Sequence, residues 1–401
     1  MTDRPGALSL FAITAPGLEA ITAGELTALG VARVRAEPGG VTFRGGLDAL
    51  YDANLRLRTA SRVVVRVASF EATAFHELER RVRRIDWKRY LASPARVRFR
   101  VTCRKSRLYH SDAVAQRLAE AIERGPGLVG HEIASADDDE ATEAAQLFIV
   151  RVLHDRVTIS ADSSGELLHR RGYRQATAKA PLRETLAAAM LIGSEWDPRT
   201  PLADPFCGAG TIAIEGALLA RRMMPGIDHV RQVPRAFAFT EWPGHDDATW
   251  RDRVARALEG ALPAAAAPVM AADRDAGAAA ATLGNAERAG VASDLDVRQA
   301  PISVLELPPG PGHVVTNPPY GVRVGDRIAL LDSYRRLGAV VRTGVPGWTV
   351  AMLSADRRLE QATGLALDEV FRTTNGGIAV RLMRSPVGVS EALGTADRGN
   401  G

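Results

Sequence analysis

Hydrophobic positions along the chain change rhythm in a way that marks its elements. Residues 9–14 form a short apolar run that reads as a strand, and 17–26 carry apolar residues at helical spacing. Strand-like runs at 31–36 and 40–43 follow, then a helix over 47–57. A second series begins with a strand from Arg62, a helix over 73–85, a strand over 96–103 and a helix over 111–123. The runs 146–153 and 156–160 flank His154-Asp155 and read as a hairpin. This succession predicts two small α+β units. Beyond them the pattern predicts a helix reaching residue 190, with Pro181 in its first turn, a strand at 201–203 and a helix through 212–219. A strand at 268–272, a helix over 273–289 and apolar runs at 313–316 and 350–353 come next. Two last runs, 367–373 and 378–383, flank Asn375-Gly376-Gly377, a strong hairpin signal. From Ser385 onward small and polar residues predict a loose tail.

The run 313–316 breaks directly into Asn317-Pro318-Pro319-Tyr320. Neither proline has an N–H for a sheet, so the chain must leave the strand in a stiff loop. That loop presents an amide side chain, the Pro318 carbonyl and an aromatic ring. Such a set suits a planar group carrying an NH₂. The amide oxygen and the carbonyl accept its two N–H bonds, while the Tyr320 ring stacks on its face. An ordinary Pro-Pro loop is the competing reading.

A second motif bears on that choice. The stretch from Pro201 through Asp204, Phe206, Cys207, Gly208, Gly210 and Thr211 reads as a short strand, a tight glycine turn and the start of a helix. Gly208 and Gly210 let the backbone approach a ligand, and the helix offers unpaired N–H groups to an anion. Gly208-x-Gly210-x-x-Ala213 also fits a loose dinucleotide fingerprint, which expects an acidic residue about 20 positions on. Here Asp273 ends the next strand-like run only after a long insert rich in Arg, Trp and Phe. A nicotinamide or flavin enzyme also has no need of the Asn317–Tyr320 loop.

Together the two motifs resemble the class I methyltransferases that use S-adenosylmethionine and methylate amino groups. The resemblance implies a Rossmann-like α/β domain, with a mostly parallel seven-stranded sheet closed by an antiparallel hairpin. It implies that Asp204, Phe206, Cys207, Gly208, Gly210 and Thr211 surround the methionine part of the cofactor. Asp273, beside Arg274, would hold the ribose hydroxyls, with Asp275 as the competing carboxylate. Asn317, Pro318, Pro319 and Tyr320 would form the catalytic loop, with Asn317 also near the cofactor. One departure stands out: Ala300-Pro301 occupies the place where Gly-Asp is typical near the adenine amine. Backbone atoms near Pro301 or Ile302 are the expected substitutes.

Length and charge refine this picture. Four hundred and one residues suggest two or three domains. No apolar run approaches the roughly 18 residues needed to span a membrane, and the N-terminus does not read as a signal peptide. A cytoplasmic protein is expected. Cys103 and Cys207, the two cysteines, have neither metal nor disulfide spacing, and no metal site is expected. Residues 1–180 carry 28 basic and 22 acidic side chains, whereas 181–401 carry 23 and 25. Between Arg56 and Arg107, 16 basic residues face only Glu71, Glu77, Glu79 and Asp86. Arg80, Arg81, Arg83 and Arg84 fall on one expected helix, where a solvated face explains some of the run but a nucleic-acid footprint is the favoured reading. Arg96, Arg98 and Arg100 alternate along a strand, which puts them on one face of a sheet. With Arg104 and Lys105 these residues make a candidate footprint for nucleic acid.

Ala15-Pro16-Gly17-Leu18-Glu19 and the stretch from Cys103 to Ser111 resemble RNA-modification enzymes that carry a ferredoxin-like segment followed by a THUMP domain. The bridge 169–174, the loop 317–323 and the run 331–338 extend the resemblance to THUMP-containing guanine-N2 methyltransferases. It implies a ferredoxin-like segment over 1–60, a THUMP RNA-binding domain over 61–165, a methyltransferase domain over 166–385 and a flexible tail over 386–401. The implied activity is methyl transfer from S-adenosylmethionine to N2 of a guanosine in 23S rRNA, leaving S-adenosylhomocysteine. The implied partner is structured RNA, and a monomer is expected. Two alternatives remain: the same chemistry on the tRNA acceptor stem, or an RNA-binding assembly factor with a vestigial catalytic domain.

Overall fold

The computed structural model describes residues 7–123, 128–134, 145–175, 182–320, 327–343 and 346–386. The acidic run 137–140, the turn at Pro181, the loop residues 321–323 and the tail beyond 386 lie outside these. The chain divides into two compact units, one of Met1–Tyr173 with Arg222–Leu262 and one of Arg174–Arg221 with Pro263–Gly401.

The first unit opens with β1 (Leu8–Thr14), α1 (Glu19–Ala28), β2 (Ala32–Glu37), β3 (Gly40–Gly45), α2 (Leu47–Arg56) and β4 (Ala60–Glu71). Alternation decides the face of β1, where Leu8, Leu10, Ala12 and Thr14 are buried and the residues between them are half-exposed. These four strands pair antiparallel in the order β2-β3-β1-β4, a ferredoxin-like arrangement. The chain continues through α3 (Phe75–Val82), β5 (Ala95–Arg104), α4 (Ser111–Glu123), β6 (Leu128–Ala134), β7 (Gln146–Leu153) and β8 (Arg156–Asp162). These strands extend the same sheet in the order β8-β7-β5-β6. His154 and Asp155 both take positive φ, 48° and 59°, as a two-residue hairpin turn demands. The edge strand β6, parallel to β5, is absent from the sequence reading, because Gly130, His131 and Glu132 interrupt its apolar pattern. Val97, Phe99, Phe148 and Val150 pack with Val114, Leu118 and Ile122 of α4 in the core.

The second unit starts with α5 (Glu184–Gly193), β9 (Leu202–Asp204) and α6 (Thr211–Ala220). The insert that follows, with β10 (Ile227–Asp228), β11 (Val233–Pro234) and α7 (Asp247–Glu259), groups with the first unit. Its aromatic residues explain why. Phe239 and Trp250 stand 4.8 and 5.5 Å from the ring of Tyr51 in α2, and the Tyr51 hydroxyl accepts a 2.8 Å bond from Asp246 N–H. The chain returns to the second unit as β12 (Val269–Asp273), α8 (Ala276–Ala289), β13 (Leu295–Gln299) and β14 (Gly312–Thr316). It ends with α9 (Arg327–Thr343), β15 (Trp348–Ser354), α10 (Arg357–Ala362), β16 (Asp368–Asn375) and β17 (Ile378–Arg384). The seven strands lie in the order β13-β12-β9-β14-β15-β17-β16. The first five are parallel, and the β16–β17 hairpin closes the sheet antiparallel. Gly376 and Gly377 turn that hairpin with φ of 57° and 82°. The helix read from residue 273 begins instead at Ala276, because Asp275 caps it by accepting the Ala278 N–H at 2.8 Å. Asp273 therefore sits at the end of β12 rather than in the helix.

Candidate active site

Three neighbouring parallel strands deliver their carboxyl ends to one place. β9 lies between β12 and β14, so Asp204, Asp273 and Thr316 end adjacent strands at the point where the order reverses. In open α/β sheets this is where ligands bind. A cleft of about 1010 Å³ opens there, lined by Phe206, Gly208, Asp273, Arg274, Asn317 and Pro319 among others. That volume lies at the upper end of the ~300–1,000 Å³ typical of small-molecule sites.

The glycine turn has the shape a close ligand needs. Gly208 takes φ of 53°, lines the cleft, and a Cβ there would meet nothing within 4 Å. Its N–H donates to Asp273 Oδ2 at 3.1 Å, which ties the turn to the end of β12. Gly210 takes φ of 81°, and a Cβ there would stand 2.6 Å from Thr282 Cγ2. The first glycine leaves room for a ligand, and the second leaves room for α8. Asp273 Oδ1 also accepts the Asp275 N–H at 3.0 Å, so backbone donors aim its carboxylate.

The remaining motif residues support this surface from behind. Asp204 is 1 % exposed and does not line the cleft. Burial pushes its carboxyl up to about 7, although Thr316 Oγ1 donates to it at 2.6 Å and Phe206 N–H at 3.3 Å. Cys207 is buried with Sγ 3.5 Å from Thr282 Oγ1, and burial with the nearby Asp204 pushes its thiol up to about 12. It is no nucleophile at neutral pH. Gly210 and Thr211 are buried at the start of α6.

At the Asn317–Tyr320 loop, Asn317 Oδ1 is buried yet has no hydrogen-bond partner among the described residues. Such an orphan acceptor costs stability unless something fills it. Pro318 is buried, Pro319 is exposed on the cleft wall, and Tyr320 is half-buried. The Tyr320 hydroxyl accepts from Asn375 Nδ2 at 2.7 Å, and burial raises its pKa. Sequence reading missed Asn375 in this role, and missed Asp332, Ser333 and Arg336 of α9 on the cleft wall. Pro301, Ile302 and Ser303 do line the cleft, at the position where the usual acidic residue is missing.

Residues 171–384 match the family of RMKL-like methyltransferase domains, and residues 9–64 match the RlmL ferredoxin-like domain. The chain belongs to this methyltransferase family. A candidate RNA methyltransferase of Synechocystis sp. is 33% identical over 384 residues, covering 96% of this chain and 97% of its own. The ribosomal RNA large subunit methyltransferase K/L of Methylococcus capsulatus is also 33% identical, over 94% of this chain. This chain spans 51% of that relative's length. Among solved structures, the candidate methyltransferase SMU.472, complexed with SAH, is 27% identical with a TM-score of 0.83, covering 96% of this chain and 99% of its own. A Listeria monocytogenes protein described as an N6-adenine-specific DNA methylase is 31% identical with a TM-score of 0.81, covering 95% and 97%. The methyltransferase therefore has an N-terminal ferredoxin-like domain and a class I methyltransferase fold.

The basic residues read from the sequence separate into two groups. Arg80, Arg81, Arg83 and Arg84 are exposed, as are Arg96, Arg104 and Lys105. Arg98 is only 6 % exposed and Arg100 is half-buried, close enough to the buried Asp162 to act on its charge. The three alternating arginines of β5 therefore differ in exposure, with Arg96 open, Arg100 half-buried and Arg98 covered. Alternation puts these residues on one face, and burial along that face differs between them.

Proposed function

We propose that this methyltransferase moves a methyl group from S-adenosylmethionine to the exocyclic N2 of a guanosine in RNA, with 23S rRNA as the favoured substrate. The observation that carries the reading is the buried Oδ1 of Asn317 at the cleft, which has no partner among the described residues. Guanine N2 is a poor nucleophile because its lone pair is delocalised into the ring. Accepting one N–H at Asn317 Oδ1 and the other at the Pro318 carbonyl localises that pair and aims it. Holding the amine in this geometry supplies much of the rate, since well-oriented reactants gain roughly 7–11 kcal/mol. The Tyr320 ring stacks on the base, and the loop prolines keep these groups in place.

The cleft suits the methyl donor. Gly208 leaves open space for a close approach, and Asp273 presents an aimed carboxylate for ribose hydroxyls. When bound, S-adenosylmethionine supplies an electrophilic methyl sulfonium. Arg274 borders the same end, while Asp204, Cys207, Gly210 and Thr211 shape the turn from beneath. Pro301, Ile302 and Ser303 take the adenine side in place of the missing acid.

The RNA substrate is read from the names of the relatives and from the basic first unit, whose residues 61–165 we assign to a THUMP-like RNA-binding domain. The methyltransferase domain is assigned to 166–385, with the compact insert Arg222–Leu262 grouped outside it. The name of the Listeria relative makes adenine N6 the reading to exclude, because the same loop chemistry serves either amine. Mass spectrometry of rRNA and tRNA nucleosides from cells lacking the protein tests the assignment. Loss of one N2-methylguanosine from 23S rRNA supports it. Loss from tRNA alone moves the substrate to tRNA, and loss of N6-methyladenosine overturns the base.

A further inference from the structure

A second cleft, of about 420 Å³, lies in the first unit between β4 and the segment that follows α3. Its rim carries Arg81, Arg84 and Arg89, with Asp86 as the one acidic side chain on the lining. Arginines elsewhere in this chain are commonly paired: Arg56, Arg117, Arg156 and Arg253 all hold carboxylates. Arg83, on the same helical stretch, pairs with Glu79 at 3.3 Å. Arg81, Arg84 and Arg89 have no acidic partner among the described residues, and all three are exposed. Three exposed guanidiniums and one carboxylate, Asp86, line the concavity, which leaves it with a net positive charge. The wall beneath them is built from the β4 run Val67–Phe70 with Ile85 and the buried Tyr90, which gives the charges a firm backing.

We infer that this cleft is a phosphate-binding subsite that grips the sugar-phosphate backbone of the RNA substrate. Planar guanidiniums match phosphate oxygens in paired hydrogen bonds, so three of them around a concavity suit one or two adjacent phosphodiesters. The rim presents three cations, while the aromatic residues Phe70 and Tyr90 lie in the wall behind them, so the phosphate groups are the part of the RNA this subsite holds. It contributes affinity for the RNA backbone. This rests on the reading that the substrate is RNA, and it divides the basic run 80–84. Arg81 and Arg84 belong to the subsite, whereas Arg80 and the paired Arg83 do not.

That division supplies the test. Binding of a fluorescent structured RNA to the full chain is measured over a series of KCl concentrations for three proteins. These are the wild type, the triple variant Arg81→Gln/Arg84→Gln/Arg89→Gln and the double variant Arg80→Gln/Arg83→Gln. Each lost phosphate contact lowers the slope of log affinity against log salt by about 0.7–0.9. The triple variant is expected to lose about tenfold or more in affinity and one to two such contacts in slope. The double variant should stay within about twofold of wild type. All three should bind S-adenosylmethionine equally and unfold at the same temperature, which excludes a folding defect. Equal losses in the double and triple variants would replace the subsite with diffuse charge. An unchanged slope in the triple variant would overturn it outright. Wild-type protein that binds no RNA would instead remove the RNA reading, and the subsite with it.

Discussion

Asn375, at the tip of the closing hairpin, donates its side-chain N–H to the hydroxyl of Tyr320 across 2.7 Å. The bond links the last two strands of the sheet to the loop that leaves β14, so the ring of Tyr320 is held from outside its own loop. Breaking it is expected to lower kcat about 2- to 10-fold, the worth of one hydrogen bond of ~0.5–1.5 kcal/mol. Asn375→Ala and Tyr320→Phe should show the same loss, and the double variant no more than either alone. Additive losses would mean that the two residues act separately.

Asn317→Ala is expected to lower kcat by about a hundredfold or more, with affinities for S-adenosylmethionine and RNA within a few-fold of wild type. The lost acceptor acts on charge that develops during transfer, so its removal raises the barrier and spares binding. Single-turnover kinetics beside equilibrium titrations check this. Near-wild-type turnover would remove Asn317 from the chemistry.

Asp273→Asn is expected to weaken S-adenosylmethionine binding roughly 10- to 100-fold, as the loss of charge-assisted bonds worth ~1.5–3 kcal/mol. Asp275→Ala should instead cost about 0.5–2 kcal/mol of stability, because its carboxylate caps α8. Calorimetric titration and thermal unfolding separate the two. The reverse pattern would shift the ribose contact two residues along the chain.

Asp204 gives the pH dependence. Its folded pKa of about 7 stands above the ordinary value of 3.8, chiefly through burial. The folded protein therefore binds the proton more tightly than the unfolded chain. Its contribution to stability is full below pH 3.8 and declines as pH rises toward 7. Asp204→Asn keeps an acceptor for Thr316 and Phe206 and carries no charge to bury. Urea unfolding across this range should show wild type losing stability with rising pH and the variant losing less, by ~1.4 kcal/mol per pH unit at most. Parallel pH profiles would contradict a buried, proton-holding Asp204.

The legible parts of this molecule were those written in adjacent residues. The Asn317 loop and the glycine turn announce themselves because Pro and Gly punctuate apolar runs, and the hairpin at Gly376-Gly377 does so through its turn residues. Three features depend on distant residues and left no local mark. The period of β5 treats Arg96 and Arg98 alike, and only the folded structure reveals Arg98 as buried. The insert Arg222–Leu262 groups with the first unit through contacts such as Tyr51–Trp250, which no linear pattern reveals. The Asn375–Tyr320 bond joins residues 55 positions apart. Edge strand β6 was hidden for a local reason, its interrupted hydrophobicity.

The central claim is the identity of the atom that receives the methyl group. Purified protein is incubated with isotopically labelled S-adenosylmethionine and 23S rRNA from cells lacking the protein, and the RNA is digested to nucleosides for mass spectrometry. Label is expected in N2-methylguanosine alone, at a stoichiometry approaching one per rRNA, and absent with Asn317→Ala. Label in N6-methyladenosine, or none in any RNA nucleoside while S-adenosylmethionine binds normally, would contradict the account.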